Sequence, residues 1–511
     1  MIRTVFILLL IIFLASFLRI KDLYSNPPGF YTDEASAGYN AYKILTTARD
    51  EHGKFMPFFF EAQEDYKNTF EVYPIVPFVA AFGLNEFSVR LAQVFFALLD
   101  IFLIFFLAKL LWNDAVGLLS AFVLASSPWQ IHLSRSSIGS HNAFLFFILG
   151  GSIFLVLAKK NSFKTKYLVV SAIFFGVSFY TYFATRIFTP LFLLGILIFW
   201  RNDFLKLLKK NPKRVLLPSV LFVLLLIPFA LHMASGKGLS RFREVAFTHK
   251  QNVVWASADL YLRHFDPRFV FVWGDSDYPT QQIIRHSVTG MGLFYKWQLP
   301  FFILGILFLI FAKKRETDAK VPVLLMLALF PMGSVAADSF IPFATRSFEG
   351  VIPYSLLVAL GVYKSFGLLG KNLLLKVLFI SVVVILSIFY LSRFWGLYGA
   401  YANRAYGYNG FQYGAREIVR YFMSDQTHQI KILDSGFDGK QAYIDFYSLG
   451  KCEGCYASDP TPNDTTAKKL LAVSVSDLRS FYDRYDGVII HKIYYPDGRE
   501  AFYIFEANSK P

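Results

Sequence analysis

The chain has 511 residues, of which 55% are hydrophobic, 18% aromatic and only 17% charged, and its mean hydropathy is +0.44. Soluble domains are nearer a quarter charged, so the composition excludes a soluble globular protein and predicts a polytopic α-helical membrane protein. The formal net charge of +15 does not signal a nucleic-acid partner, because the basic residues stand in short clusters between long apolar runs, the pattern of a topology signal.

A helix crossing about 30 Å of hydrocarbon needs roughly 20 apolar residues, fewer when aromatics or long cations anchor its ends. Eleven stretches qualify, near 4–20, 89–111, 114–128, 141–158, 167–183, 186–200, 215–233, 297–312, 321–336, 350–366 and 373–392. The first reads as a retained signal anchor, since Arg19 ends the apolar run and no small-x-small cleavage pattern precedes it. Lys and Arg are retained on the cytoplasmic side. Alternate loops carry Lys159, Lys160, Lys164 and Lys166; Arg201, Lys206, Lys209, Lys210, Lys213 and Arg214; Lys313, Lys314, Arg315 and Lys320; and Lys364, Lys371 and Lys376. The other short loops hold little basic charge: Arg135 in one, Arg186 at another and Arg346 in a third. The expected topology is an integral membrane protein, in the plasma membrane, with the N-terminus inside. A first outer loop (21–88), a large outer loop (234–296) and the C-terminal tail then lie outside. Two domains follow: a membrane domain, 1–396, and an extracytoplasmic α/β domain, 397–511.

Polar residues gather in the outer loops. "GFYTDEASAGYN" sets Asp33 and Glu34 just beyond the first apolar run, at the start of apolar residues in helical spacing, which predicts a helix along the membrane surface. Asp33 would serve there as an N-cap and Glu34 as a first-turn dipole partner, unless the pair carries chemistry. "EAQEDYKNTFEVYPIVPFVAAFG" places Lys67 before a proline-punctuated stretch too short for a clean span, which suits a segment at the interface; a snorkelling lysine is the plainer reading. "SSPWQIHLSRSSIGSHN" adds Arg135, and "SVAADSFIPFATRSFEG" adds Asp338 and Arg346. One outer arginine is an ordinary interfacial anchor, but three cations on different loops facing one carboxylate pair form a pattern. Asp100 lies in mid-span, where an ionisable group faces a cavity or a partner helix, as structural glue or as a functional group.

In the tail, "QIKILDSG" reads as a strand, and "DGVIIHKIYYPDGREAFYIFEA" as two strands joined by the turn "PDGR". "AREIVRYFM" and "VSDLRSFYDRY" read as helices before and between them. The two cysteines, Cys452 and Cys455, exclude a disulfide scaffold or a four-cysteine zinc site within one chain; a small local disulfide and an inert surface pair both remain open.

The Asp-Glu pair after the first span, the lysine before a Tyr-Pro stretch, "NEFSVRLAQVFFALLDIFLIFFLAKLLW", "SPWQIHLSR" and "YTYFATRIFTPLFLL" follow one another in an order that resembles the GT-C glycosyltransferases over residues 1–400. The nearest likeness is to glycosyltransferase family 39, with its protein O-mannosyltransferases, aminoarabinose transferase and Rgt-type enzymes. The resemblance implies inverting transfer of a sugar from a polyprenyl-phosphate donor to a protein, lipid or glycan acceptor at the outer face. It implies Asp33 as the base that takes the acceptor's proton and Glu34 as an orienting group. Lys67 matches the phosphate-contacting lysine, with Arg135, Arg346, Arg285 and His286 as further phosphate partners. No cofactor is implied; family members differ in metal use, which leaves a divalent metal open.

Two other classes compete. A transporter would concentrate ionisable groups at mid-membrane and show inverted repeats, whereas here they sit on the outer rim, Asp100 apart. A non-catalytic assembly subunit would use the tail for binding. Within the class, a polymerase or ligase using pyrophosphate-linked glycans is the nearest alternative.

Overall fold

The structure is a computed structural model that describes residues 2–62, 65–236, 238, 253–279, 281–312, 317–336, 341–402 and 405–510. Asp338 and the basic residues Lys313, Lys314 and Arg315, used above, lie outside the described residues.

The first apolar run is helix α1 (Ile2–Ile20), and all ten later stretches also fall on helices. Among the described residues six helices are long and apolar enough to cross a membrane: Ile2–Ile20, Glu86–Leu111, His141–Lys160, Lys213–Ala234, Phe348–Leu368 and Leu373–Ala400. A seventh span forms if the pair Asp114–Ser126 and Pro128–Ser134, bent by 57°, counts as one. Thr165–Ser178, Thr185–Phe199, Lys296–Ile310 and Ala319–Val335 are apolar but shorter, so the eleven crossings expected from hydropathy are not met by length. The bend has a clear origin. Pro128 begins the second helix of the pair, and a residue preceding proline is pushed out of helical geometry, as the extended Ser127 shows. The Lys213–Ala234 and Leu373–Ala400 helices bury only 6% of their apolar windows inside the protein; such bare apolar surface is what a lipid environment accommodates.

The 114–126, 141–160 and 351–368 helices hold the largest apolar core, around Phe144, Ile148, Leu356 and Leu357. A second core joins the first loop to the tail. Helix α2 (Thr32–Thr47) carries the small residues Ala35, Ala37, Gly38 and Ala41, all buried. A Cβ on Gly38 would lie 2.6 Å from a ring carbon of Phe446 and 2.7 Å from a methyl of Val89. Such small residues let the helix Lys440–Ser448 of the tail close over α2 on one side while the Glu86–Leu111 helix supports it on the other. Helix α2 is therefore enclosed, where the sequence suggests a helix lying on the membrane surface; its apolar face meets the tail. After α2 the chain folds a hairpin, β1 (Phe59–Ala62) antiparallel to β2 (Asp65–Asn68), and continues into the short helical run Thr69–Phe82.

The tail is an α/β unit built on a five-stranded sheet ordered β4-β3-β5-β7-β6. Here β3 (Ile430–Leu433) is parallel to β4 (Cys455–Tyr456) and to β5 (Lys469–Ser474), whereas β7 (Glu500–Ser509) pairs antiparallel with β5 and with β6 (Tyr485–Tyr494). Cys452 and Cys455 are joined as a disulfide beside β4.

Polar contacts clamp the tail to the membrane domain at Glu86, the first residue of its helix. Its Oε1 accepts from Arg416 Nε at 2.8 Å and from the Tyr447 hydroxyl at 2.8 Å, and Glu86 is almost fully buried. Removing one partner of a buried pair leaves the other charge desolvated. Glu86→Ala is therefore expected to weaken tail docking by about 3 kcal/mol, measured as faster hydrogen exchange across 440–448 in the variant than in the parent.

Candidate active site

The N-terminal end of α2, the β1–β2 hairpin, the loops 135–141, 181–186, 281–286 and 343–346, and the tail line a cavity of about 820 Å³. Asp33, Lys67, Arg285, His286 and Arg346 all line it. Glu34 and Arg135 do not.

The divergence of Asp33 from Glu34 follows from helix geometry. Both lie in the first turn of α2, and neighbours on a helix point about 100° apart, so an inward Glu34 sends Asp33 elsewhere. Glu34 is fully buried and ion-paired to Arg90, with Arg90 Nε 3.0 Å from Oε1 and Nη2 3.2 Å from Oε2. Glu34 also accepts the backbone N–H of Tyr31 at 3.1 Å and of Ser137 at 2.9 Å. Arg90 spends its other donors on backbone oxygens of the preceding loop: Leu23 at 3.2 Å, Pro27 at 2.9 Å and Gly29 at 2.7 Å. Gly29 has φ +78°, and a Cβ there would sit 2.5 Å from the Phe411 carbonyl oxygen, so only glycine lets this loop pass under the tail.

Asp33, in contrast, opens onto the cavity, and Lys67 Nζ donates to its Oδ1 at 2.7 Å. The lysine side chain is 10% exposed and the aspartate 40%. Lys67 comes from β2 opposite Phe60. Next to it, Asn68 accepts from Arg186 and donates through Nδ2 to Glu71 Oε1 at 2.7 Å. Arg186 and Glu71 also line the cavity. In the sequence Arg186 stands out only as one of the few cations of the short outer loops. Its signal was a cation in the first turn of an apolar helix, Thr185–Phe199, where the helix dipole opposes positive charge.

The other wall is also cationic. Arg285 lies over the Tyr31 ring at 4.0 Å and its Nη2 donates to the Tyr31 hydroxyl at 2.9 Å. Burial and, after it, the Asp33 charge raise the Tyr31 phenol above its ordinary range, so it stays an O–H. Arg346 packs over Phe343 at 4.7 Å and Phe183 at 6.0 Å. His286 Nδ1 is 3.3 Å from Asp275 Oδ2; burial lowers the imidazole below its usual range while Asp275 pulls it back. Near neutrality His286 thus offers a neutral imidazole rather than a positive charge.

Arg135 serves helix α1. Its guanidinium donates to the carbonyls of Leu18 at 3.1 Å, Arg19 at 3.0 Å and Asn26 at 2.8 Å, two of them carbonyls of the last turn that have no helical partner. It lies over Trp395 and Tyr398. Asp100 is buried, with Gln130 Nε2 3.4 Å from its Oδ2, and Gln130 Oε1 accepts from Arg19 Nη2 at 2.7 Å; this chain links three helices and does not reach the cavity wall. Among the described residues no three His, Cys, Asp or Glu side chains converge as metal ligands would.

Residues 73–232 match the family described as Dolichyl-phosphate-mannose-protein mannosyltransferase. Over 98% of its length the chain is similar to the Archaeoglobus fulgidus oligosaccharyltransferase AglB solved with an inhibitory peptide and a dolichol-phosphate, at 12% identity and a TM-score of 0.55, covering 74% of that chain. It is also similar, over 98% of its length, to ArnT from Cupriavidus metallidurans bound to undecaprenyl phosphate, at 12% identity and a TM-score of 0.54, covering 97% of that chain. No curated protein sequence matches it. At such identity the likeness shows the fold. The family match over residues 73–232 is to a glycosyltransferase family, the enzyme class expected from the sequence.

The two acids of the pair should respond differently to neutralisation. Glu34→Gln strands the Arg90 charge in the interior, so it is expected to lower stability by roughly 3–5 kcal/mol, whereas Asp33→Asn, at a half-open position, should leave the fold intact. Thermal aggregation midpoints of the two variants in the same detergent check this; equal midpoints contradict it.

Proposed function

We propose that this protein is a GT-C glycosyltransferase that moves a sugar, with inversion, from a polyprenyl-phosphate donor to a hydroxyl acceptor at the outer face of the membrane. The observation that carries the reading is the Asp33–Lys67 pair inside a cavity walled by Arg186, Arg285 and Arg346. A carboxylate base is what an inverting displacement needs: Asp33 takes the proton of the acceptor hydroxyl as its oxygen attacks the anomeric carbon. On the far side of that carbon the lipid phosphate leaves with growing negative charge, which fixed cations stabilise without reorganising. Lys67, whose ammonium donates to Asp33 at 2.7 Å, places a compact positive charge on the cavity wall for phosphate oxygens. By touching both groups it ties base and leaving group into one geometry. Glu34 acts through position, holding the turn that aims Asp33, and Arg135 acts through α1.

The same arrangement supports the topology read from the charges. The tail and the first loop share one side of the helices, since they pack on each other; the basic 201–214 segment belongs to the opposite side of the charge alternation. In intact cells an external protease is expected to cut the tail and to spare the 201–214 segment; a protected tail contradicts this orientation.

Purified protein supplied with a panel of polyprenyl-monophosphate and polyprenyl-pyrophosphate sugars tests the reaction. Release or transfer of sugar from a monophosphate donor is the expected result, and a chain that turns over no member of the panel overturns the reading. Asp33→Asn is expected to lose roughly 10²-fold or more in transfer rate while keeping donor affinity. Lys67→Ala is expected to lose donor affinity itself, measured by titration with the lipid-linked donor.

A further inference from the structure

The tail contributes a carboxylate to the same cavity. Asp438 stands in the loop between β3 and the helix Lys440–Ser448 and lines the cavity together with Tyr31, Thr32, Asp33 and Ser36. Its place is the carboxyl end of a strand that runs parallel to both its neighbours, where open α/β sheets present ligand-binding groups. Two contacts hold this loop against the first turn of α2. The Tyr31 hydroxyl is 3.4 Å from Asp438 Oδ2, and Thr32 Oγ1 is 3.4 Å from the Gly439 carbonyl oxygen. Behind the carboxylate the loop is braced by Gln412, whose Oε1 accepts from the Asp438 N–H at 3.1 Å and from the Tyr443 hydroxyl at 2.7 Å.

Nothing in the transfer step employs the Asp438 carboxylate: the base is Asp33, and a departing phosphate is served by cations. A carboxylate has about four lone-pair sites. The Tyr31 hydroxyl meets one of its oxygens, and the bracing of the loop uses backbone, so acceptor capacity faces the cavity. We propose that Asp438 is an acceptor-binding residue that accepts hydrogen bonds from hydroxyls neighbouring the attacking one, which makes a sugar with vicinal hydroxyls the acceptor the site recognises. A serine or threonine side chain has one hydroxyl, and that one is engaged by Asp33. The Tyr31 hydroxyl, shared by Arg285 and Asp438, then joins the phosphate wall to the acceptor wall.

The inference rests on the glycosyl-transfer reading and is tested separately from it. Purified protein receives the polyprenyl-phosphate donor that it consumes, with either a methyl glycoside or a serine-containing peptide as acceptor, and the ratio of transfer to donor hydrolysis is measured. The ratio does not depend on the fraction of folded protein. Wild type is expected to use the glycoside in preference to the peptide. Asp438→Asn and Asp438→Ala are expected to lower the glycoside ratio about tenfold or more, with the acceptor KM rising more than kcat falls. A preference for the peptide, transfer to neither acceptor during active hydrolysis, or an unchanged ratio in both variants overturns the assignment. Absence of any donor turnover by wild type overturns the glycosyl-transfer reading instead.

Discussion

The buried pair between Glu34 and Arg90 organises the site. It joins the first turn of α2 to the Glu86–Leu111 helix and, through the remaining donors of Arg90, fastens the loop from Leu23 to Gly29 that leads out of the first span. A charge removed from water is tolerable only when all its hydrogen-bonding capacity is met, and here two backbone N–H groups complete the carboxylate. With Glu34 anchored, helix periodicity leaves Asp33 a single outlook, onto the cavity. The adjacent acids thus diverge, the inner one fixing the backbone and the outer one lining the cavity.

The cavity inherits its character from what surrounds it. Helices at membrane depth bury apolar side chains, so charges collect where the helices end and loops converge. The tail closes that rim: Phe446 over Gly38 and Phe30, Arg416 and Tyr447 on Glu86, and Asp438 beside Tyr31. Cations from the hairpin, the 181–186 loop and the two later loops face carboxylates from α2 and from the tail. Opposite charges set on separate elements around a recess suit a pair of ligands, one bearing a phosphate and the other a proton donor.

Much of this was legible in the chain. Hydropathy located all six helices that, among the described residues, are long and apolar enough to cross a membrane, because burial in lipid demands long uniform runs. It did not register that other apolar helices are short or bent, since Pro128, Pro190 and Pro322 hardly alter an averaged hydropathy. In the tail, alternation and the "PDGR" turn revealed β6 and β7, and β3 was legible as well. The helix Lys440–Ser448 and strand β5 were missed: "KQAYIDFYS" lacks a clean amphipathic period, and "KLLAVS" is buried on both faces, which removes the alternation that marks a strand. Among candidate site residues, Asp33, Lys67, Arg285, His286 and Arg346 meet at the cavity although they come from distant segments. Glu34 and Arg135 turn inward, a matter of side-chain direction that sequence spacing does not specify before the packing partner is known. Arg186 and Asp438 stood out only once tertiary structure brought them beside the others.

In the proposed reaction Lys67 and Asp33 serve two ligands in one cavity, the donor phosphate on the lysine and the acceptor hydroxyl on the aspartate. An experimental structure of the protein in lipid nanodiscs with undecaprenyl phosphate tests it most directly. The expected result is phosphate density within hydrogen-bonding distance of Lys67 Nζ and inside the cavity that Asp33 lines. Phosphate bound elsewhere, with the Lys67–Asp33 contact undisturbed and the cavity filled only by water, would contradict the account.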